Sequence, residues 1–478
     1  MKNKKFYITT SIAYTNALPH LGFALELAQA DVLARYHRIL GEDVFFLTGT
    51  DEHGKKVLEA AEKAGKSPEE FTDEISGKFR ELTKTLNLSN DDFIRTTDKK
   101  RHWPNVEKIW QDLVKAGDIY KKKYQGLYCV GCEAFIKEKD LIDGKCPIHL
   151  KEPELIEEEN YFFKLSKYAG KVKKAIEADK IKITPESRKN EIISFINQGI
   201  EDTSCSRSRE NLKWGIPAPG DDSQIIYIWF EALINYLFPG KYWPADVHCV
   251  GKDIFRFHAL LWPAMLIASK RLLPKNILVH GFITVTGQKM SKSLGNVIDP
   301  FELVKKYGTD PVRYFLLREI LPTEDGDFTE EKFEDRYNAD LAKGLGNLVA
   351  RVITLAKISN FQFPIFNKFS NSNFQITVNK TRKECGRFLN EFRFNEALTA
   401  VWELISFCDK YIEEKKPWEE SKNQKEVISD LLSTLKEIAE LLKPFLPETS
   451  DKIIQQIKTK KSQPLFPRLD KFIICSRR

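Results

Sequence analysis

The opening fifty residues leave the chain few folds to choose from. Phe6-Tyr7-Ile8-Thr9-Thr10 is aromatic and β-branched and predicts a strand. Residues 21–40 carry Leu25, Ala28, Val32, Tyr36 and Ile39 three or four apart, which defines one buried face of a helix. Gly41 follows as its stop signal. Val44-Phe45-Phe46-Leu47 is then apolar without alternation, as a parallel strand covered on both faces requires. Strand, helix and strand in this order predict the start of an α/β fold with a doubly wound, Rossmann-like parallel sheet.

Near residue 117 the texture changes. From 117 to 225 cysteines, short strand-like runs and charged turns replace the alternation, which predicts an insertion between two halves of the sheet, 1–116 and 226–275. In the second half Ile225-Ile226-Tyr227-Ile228-Trp229 and Val247-His248-Cys249-Val250 resume the pattern, and a helix is expected from about 254 to 269. Residues 276–330 combine a strand, a glycine-bounded loop and a helical segment. From 331 to 478 amphipathic runs at 341–358, 388–412 and 427–442 predict an α-helical bundle.

Charge and composition narrow the function. Lys and Arg number 75 against 68 Asp and Glu, a net charge of +7, and such a modest excess suits a nucleic-acid partner as well as an ordinary soluble enzyme. No apolar run is long enough to span a bilayer. The first strand begins almost at the N-terminus with no secretory signal before it, so a cytoplasmic protein is expected. Cys205, Cys249, Cys385, Cys408 and Cys475 show no pairing pattern and read as thiols of a reducing compartment.

Three groups of residues carry chemistry. Pro19-His20-Leu21-Gly22-Phe23 stands where the first strand gives way to the first helix, and a helix N-terminus offers free N–H groups and a partial positive charge to a phosphate. Lys289-Met290-Ser291-Lys292-Ser293, between Gly287 and Gly295, reads as a basic loop able to clamp phosphates and to stabilise charge developing on them. Cys129-Val130-Gly131-Cys132 is followed, thirteen residues on, by Cys146-Pro147-Ile148-His149. That spacing predicts a Cys₃His zinc site, structural because four protein ligands leave no open position.

The first two groups resemble the paired signatures of class I aminoacyl-tRNA synthetases. Further segments resemble the methionyl-tRNA synthetase family in particular: Thr9 to Tyr14, Thr48-Gly49-Thr50-Asp51-Glu52-His53-Gly54, Tyr227-Ile228-Trp229-Phe230-Glu231-Ala232 with Tyr236, and Gly251-Lys252-Asp253-Ile254 with His258 and Trp262. The resemblance spans nearly the whole chain. It implies an ATP-dependent methionine-tRNA ligase that forms methionyl-adenylate and pyrophosphate, with Mg²⁺ on the ATP phosphates, and then loads tRNA(Met). His20, Lys289 and Lys292 would be catalytic. Gly22, Phe23, Gly251 and Asp253 would join them at ATP. Ile12, Tyr14, Trp229, Ala232, Tyr236, Ile254, His258 and Trp262 would line the L-methionine pocket, with Asp51 on the α-amino group and Arg207 near the carboxylate. Asn347 and Arg351, four apart on one helix face, and Trp418 would read the anticodon. A single zinc knuckle also occurs in the insertion of some members.

One residue departs from the pattern. Phe23 stands where the family normally has histidine, and phenylalanine donates no hydrogen bond. A catalytically weakened tRNA-binding paralogue is therefore one alternative. Another class I synthetase is a second, though the insertion is short for the editing domain of the leucine, isoleucine and valine enzymes. A cysteine enzyme would need its metal in the amino-acid pocket. The stretch 471–478 is too short for a further C-terminal domain, so a monomer is expected.

Overall fold

The computed structural model describes residues 4–131, 134–136, 138–148, 150–290, 295–359, 369–419 and 423–469. The chain divides into two compact units. One comprises Met1–Pro19, Leu40–Lys84 and Ser89–His280; the other comprises His20–Ile39, Thr85–Leu88 and Gly281–Arg478.

The first unit is organised by a six-stranded, all-parallel sheet. Its strands lie in the order Asp92–Arg95, Asp43–Asp51, Lys5–Tyr14, Val247–Gly251, Asn276–His280 and Lys182–Thr184. Phe6 to Ser11 and Leu47 to Asp51 are buried without interruption, which is why these strands read as continuous apolar or β-branched runs rather than alternating ones. At Lys5–Tyr14 the order reverses: the next strand in the chain lies on one side and Val247–Gly251 on the other. In open α/β sheets ligands bind beyond the carboxyl ends of the strands at such a switch point. Those ends are Tyr14, Asp51, Gly251 and His280.

Two expectations are corrected here. The run 225–229 does not form a strand of the parallel sheet. Asp221–Ile226 pairs antiparallel with Ser206–Ser208 and Pro217–Ala218 in a separate three-stranded sheet, and Ile228–Ala232 is helical. Periodicity does not separate a short buried strand from a short buried helix. The stretch 117–225 also contributes to the parallel sheet, because its strand Lys182–Thr184 pairs with Asn276–His280. The same stretch holds an antiparallel sheet of Ala134–Ile136, Ile119–Cys129, Glu154–Phe163 and Thr203–Ser204.

The second unit contains the helix Leu21–Ile39 and the C-terminal helices. The helix ends where Gly41 adopts φ 80°, a conformation glycine takes without strain. Its buried residues run consecutively from Ala24 to Ala34 instead of keeping to one face, and they include Glu26, Gln29 and Asp31. Asp31 holds Arg35 at 2.7 Å and Arg313 at 2.8 Å. Arg313, itself fully buried, also donates to the carbonyls of Phe445 at 2.8 Å, Leu86 at 3.1 Å and Pro444 at 3.0 Å. A buried guanidinium is tolerated only with such pairing.

The C-terminal region is helical: Glu330–Arg336, a π-helical stretch Tyr337–Gly346 running into Asn347–Ile358, then Ser372–Asn390, Phe394–Lys415, Gln424–Leu442 and Pro447–Thr459. The run 388–412 is two helices rather than one, broken where Phe392 takes φ 60°. Phe374, Leu398, Val401, Leu404, Ile405, Ile428 and Leu435 are among the buried residues between these helices.

Candidate active site

In the first unit the carboxyl ends of two adjacent strands carry two of the residues expected to handle an amino acid, Tyr14 and Asp51. Tyr14 and Asp51 are register partners on adjacent strands. The Thr15 N–H and hydroxyl both donate to the Asp51 carbonyl, at 3.0 and 3.1 Å, so the backbone carrying Asp51 is pinned to the strand end carrying Tyr14. Asp51 is buried. Ile12 packs against Tyr7 and Leu47.

Beside the sheet lies an aromatic cluster. Tyr14, Trp229, Tyr236, Ile254 and Trp262 belong to one apolar core. The Tyr236 hydroxyl lies 2.8 Å from His258 Nε2, and His258 Nδ1 lies 3.1 Å from the Ile254 carbonyl. A carbonyl only accepts, so Nδ1 carries the ring proton, Nε2 accepts, and Tyr236 donates. Burial pushes His258 down to about 4 and holds His248, behind it, well below its usual range. Both rings are neutral, and the Tyr236 ring centroid stands 4.4 Å from that of His248 and 6.1 Å from that of Trp262. The Trp262 indole Nε1 is buried with no hydrogen-bond partner among the described residues. His258 sits on a π-helical widening, Phe257–Leu261, a feature frequent at functional sites. Ala232 is buried at the end of the helix that carries Trp229.

Arg207 is buried across the small sheet. It donates to Ser204 Oγ at 3.0 Å and to the Ser206 carbonyl at 2.6 Å, and its guanidinium covers the Tyr227 ring at 4.2 Å. At the end of strand Val247–Gly251, a Cβ on Gly251 would fall 2.7 Å from Asp253 Oδ1. Only glycine lets that exposed carboxylate lie over the backbone.

Sequence reasoning missed two groups in this unit. Phe257 stacks on Trp229, ring centroids 4.3 Å apart and 4° from parallel; its position just before His258 was the available signal. Glu231, His53 and His102 form a buried cluster, with His53 Nδ1 2.7 Å and His102 Nε2 2.6 Å from the two carboxylate oxygens. Two of these three lie inside segments already singled out for Asp51 and Trp229.

The second unit brings the two nucleotide signatures together. The Gly22 N–H donates to His20 Nδ1 at 3.1 Å, so in the neutral ring Nε2 bears the proton. A Cβ on Gly22 would stand 3.0 Å from the His20 ring and 3.7 Å from Met290 Cε. The helix start and the lysine loop are therefore neighbours. Phe23 lies in the first turn of that helix, its N–H donating to the His20 carbonyl at 3.0 Å. Lys289 is exposed, its Nζ 4.7 Å from the Phe282 ring centroid. Lys292 lies outside the described residues.

Asn347 and Arg351 sit one turn apart on the helix Asn347–Ile358. Arg351 donates to Glu413 at 2.6 Å and lies 3.5 Å from Asp409. Trp418 is 53% exposed just beyond the helix that carries both carboxylates, which leaves its ring surface open to stacking.

For the expected metal site, Cys132 and His149 lie outside the described residues. Cys129 closes its strand opposite Ala134 and is buried, as is Cys146. Cys146 stands in a tight turn: its N–H donates to the Lys151 carbonyl, and its carbonyl accepts from Leu150, which has φ 54°. Among the described residues there is no group of three or more His, Cys, Asp or Glu that could hold a metal. No described helix is long and apolar enough to cross a membrane.

With this geometry in hand, similarity to known proteins is informative. The sequence pattern of the family described as "tRNA synthetases class I (M)" matches residues 6–152 and 136–353, and that of the "Anticodon-binding domain of tRNA ligase" matches 375–473. The chain is 42% identical over 475 residues to the methionine–tRNA ligase of Thermotoga maritima, covering 95% of this chain and 75% of that protein. It is 41% identical over 511 residues to that of Caldanaerobacter subterraneus subsp. tengcongensis, covering 98% and 79%. The Mycobacterium tuberculosis methionyl-tRNA synthetase solved in complex with methionyl-adenylate superposes with a TM-score of 0.89 at 38% identity, covering 94% of this chain and 93% of that one. A parallel α/β sheet followed by a helical C-terminal region, similar along nearly its whole length to these proteins, places this chain in the methionyl-tRNA synthetase family of class I aminoacyl-tRNA synthetases.

Proposed function

We propose that this chain joins methionine to tRNA(Met) in two steps, ATP first converting the methionine carboxylate to methionyl-adenylate. The observation that carries the reading is the neutral, hydrogen-bonded pair Tyr236–His258 in the same core as Trp229, Trp262 and Ile254 beside the parallel sheet. A long apolar thioether is suited to such a slot, since sulfur–aromatic contacts contribute about 0.3–1.5 kcal/mol each. Asp51 would meet the α-ammonium, Arg207 would lie near the carboxylate, and Ile12, Tyr14 and Ala232 would complete the walls.

The chemistry is attack of a carboxylate oxygen on the α-phosphorus of ATP with departure of pyrophosphate. A tRNA ribose hydroxyl then attacks the acyl carbon, and AMP leaves. No covalent enzyme intermediate is needed, so the residues act by orientation and charge. His20, with its Nε2 proton, and the lysines Lys289 and Lys292 stabilise charge developing on the phosphates. Gly22 and Phe23 give the helix start its close approach, and Asp253 over Gly251 accepts from the ribose. Mg²⁺ accompanies ATP as part of the substrate. Asn347, Arg351 and Trp418, in the helical region 331–478, read the anticodon.

Zinc fits the residues of the knuckle. Two buried thiols at a strand end and in a tight turn suit a soft, four-coordinate ion, and Cys129, Cys132, Cys146 and His149 would hold it. The ion would supply cross-linking of the turn. The protein acts as a cytoplasmic monomer. Metal analysis of purified protein is expected to give one zinc per chain, lost in Cys146→Ser, and gel filtration is expected to give the mass of one chain.

The test of the main reading is pyrophosphate exchange across the twenty amino acids. Methionine alone is expected to drive exchange. Exchange driven by another amino acid, or by none, would overturn it.

A further inference from the structure

Glu231 has its side chain fully buried, where a lone carboxylate would be strongly disfavoured. It is held by two imidazoles, His53 at 2.7 Å and His102 at 2.6 Å. Those neighbours lower its pKa against the opposing effect of burial, so it stays an anion. The three residues come from distant stretches of chain, and two of them sit beside pocket residues. His53 is two residues beyond Asp51. Glu231 is two residues beyond Trp229 and next to Ala232. His102 immediately precedes the helix Trp103–Lys115.

The segment after Asp51 is fastened at further points. The Trp214 indole N–H donates to the Glu52 carbonyl at 2.6 Å, and Gly54 N–H donates to the Trp214 carbonyl at 3.3 Å. The Glu52 side chain takes Arg95 through two nitrogens, at 2.7 and 2.9 Å. The His53 ring lies edge-on to Trp214 with centroids 5.4 Å apart. Among these contacts, only the Glu231 carboxylate ties this segment to the helix bearing Trp229.

We infer that Glu231 is a positioning residue for the amino-acid pocket: bridged to His53 and His102, it fixes the Asp51 segment against the Trp229–Ala232 wall. The inference rests on the reading of that pocket as the methionine site. It assigns Glu231 no contact with substrate. Its effect should fall on methionine and not on ATP, because its two bridges, to His53 and His102, hold segments that carry the methionine-pocket residues Asp51, Trp229 and Ala232.

The experiment measures pyrophosphate exchange with each substrate varied in turn, on the full chain, for Glu231→Ala, Glu231→Gln and His102→Ala. Glu231→Ala is expected to raise the methionine KM about tenfold to a hundredfold, as sub-ångström displacement of binding groups does, with the ATP KM unchanged. Glu231→Gln, whose amide can accept from one imidazole and donate to the other, is expected to restore most of the loss. His102→Ala removes one arm of the bridge far from Asp51 in sequence and is expected to raise the methionine KM several-fold. Should Glu231→Ala fail to fold, His102→Ala decides the matter. A methionine KM at the wild-type value in the folded variants, or parallel rises for methionine and ATP, overturns the inference. Failure of the wild-type protein to activate methionine would instead overturn the parent reading.

Discussion

The hydroxyl of Tyr236 donates a hydrogen bond to Nε2 of His258, whose other nitrogen is committed to the Ile254 carbonyl. The tautomer is thus set by the backbone, and the tyrosine has one acceptor prescribed for it. Tyr236→Phe removes the donor and leaves a buried ring nitrogen unsatisfied, a cost of about 1–3 kcal/mol. The methionine KM in pyrophosphate exchange is expected to rise about tenfold, 1.4 kcal/mol being one factor of ten, with the ATP KM unchanged.

The same histidine predicts a pH dependence of stability. Burial holds its folded pKa at about 4, below the ordinary 6.5. Between those values the unfolded chain takes up the proton and the folded chain does not. The contribution of neutral His258 is therefore complete above pH 6.5, declines as the pH falls, and levels off below about 4. Urea unfolding midpoints of wild type and His258→Phe, compared from pH 7 to pH 4, should converge on acidification. Parallel curves would show that His258 titrates normally.

Gly251→Ala pushes a methyl group into the space of the Asp253 carboxylate, 2.7 Å from Oδ1. Asp253 is exposed and can swing away, so the fold is expected to survive with an unchanged melting temperature. The expected effect is on nucleotide binding: an ATP KM raised about tenfold with methionine affinity intact. A rise in both constants would place the damage in the sheet instead.

Arg351 is paired with Glu413 and Asp409 on the neighbouring helix. Arg351→Ala should weaken tRNA aminoacylation through the tRNA KM by about 1–3 kcal/mol, the range of a base-reading arginine. Methionine-dependent pyrophosphate exchange, which needs no tRNA, should be unaffected. Loss of exchange would show that the substitution had disturbed the fold.

Arg313 makes the opposite kind of prediction. It pairs with Asp31 and donates to the carbonyls of Leu86, Pro444 and Phe445. Arg313→Ala leaves Asp31 buried without one of its cations, and breaking a buried pair costs about 3–5 kcal/mol. Chemical denaturation should show a loss of that size. A change below 1 kcal/mol, about the range of a surface pair, would mean water reaches this core.

What the sequence made legible follows the physics of each element. The strands at Phe6 to Thr10 and Val247 to Val250 and the helix stop at Gly41 were readable because burial and backbone conformation dictate residue type there. The run at 225–229 was not, since a short apolar stretch satisfies a strand and a helix equally. Lys182–Thr184 is three residues long and carries no periodicity to detect. The residues of the aromatic pocket came from family resemblance, and the structure brings Tyr14, Trp229, Tyr236, Ile254 and Trp262 into one cluster. The Glu231–His53–His102 contacts join residues up to 178 positions apart. A lone buried carboxylate and two histidines have no local pattern to mark such a partnership.

The placement of Lys5–Tyr14 in the middle of the parallel sheet also governs how the molecule can be made. Tyr7 and Asp246 are hydrogen-bonded across a separation of 239 residues, so during synthesis the opening strand emerges long before its central neighbour exists. Closing so long a loop is slow compared with local pairing. The nascent chain must keep one edge of an apolar strand unsatisfied while those intervening residues are made, and that interval is when it is most exposed to misassociation and most dependent on chaperones.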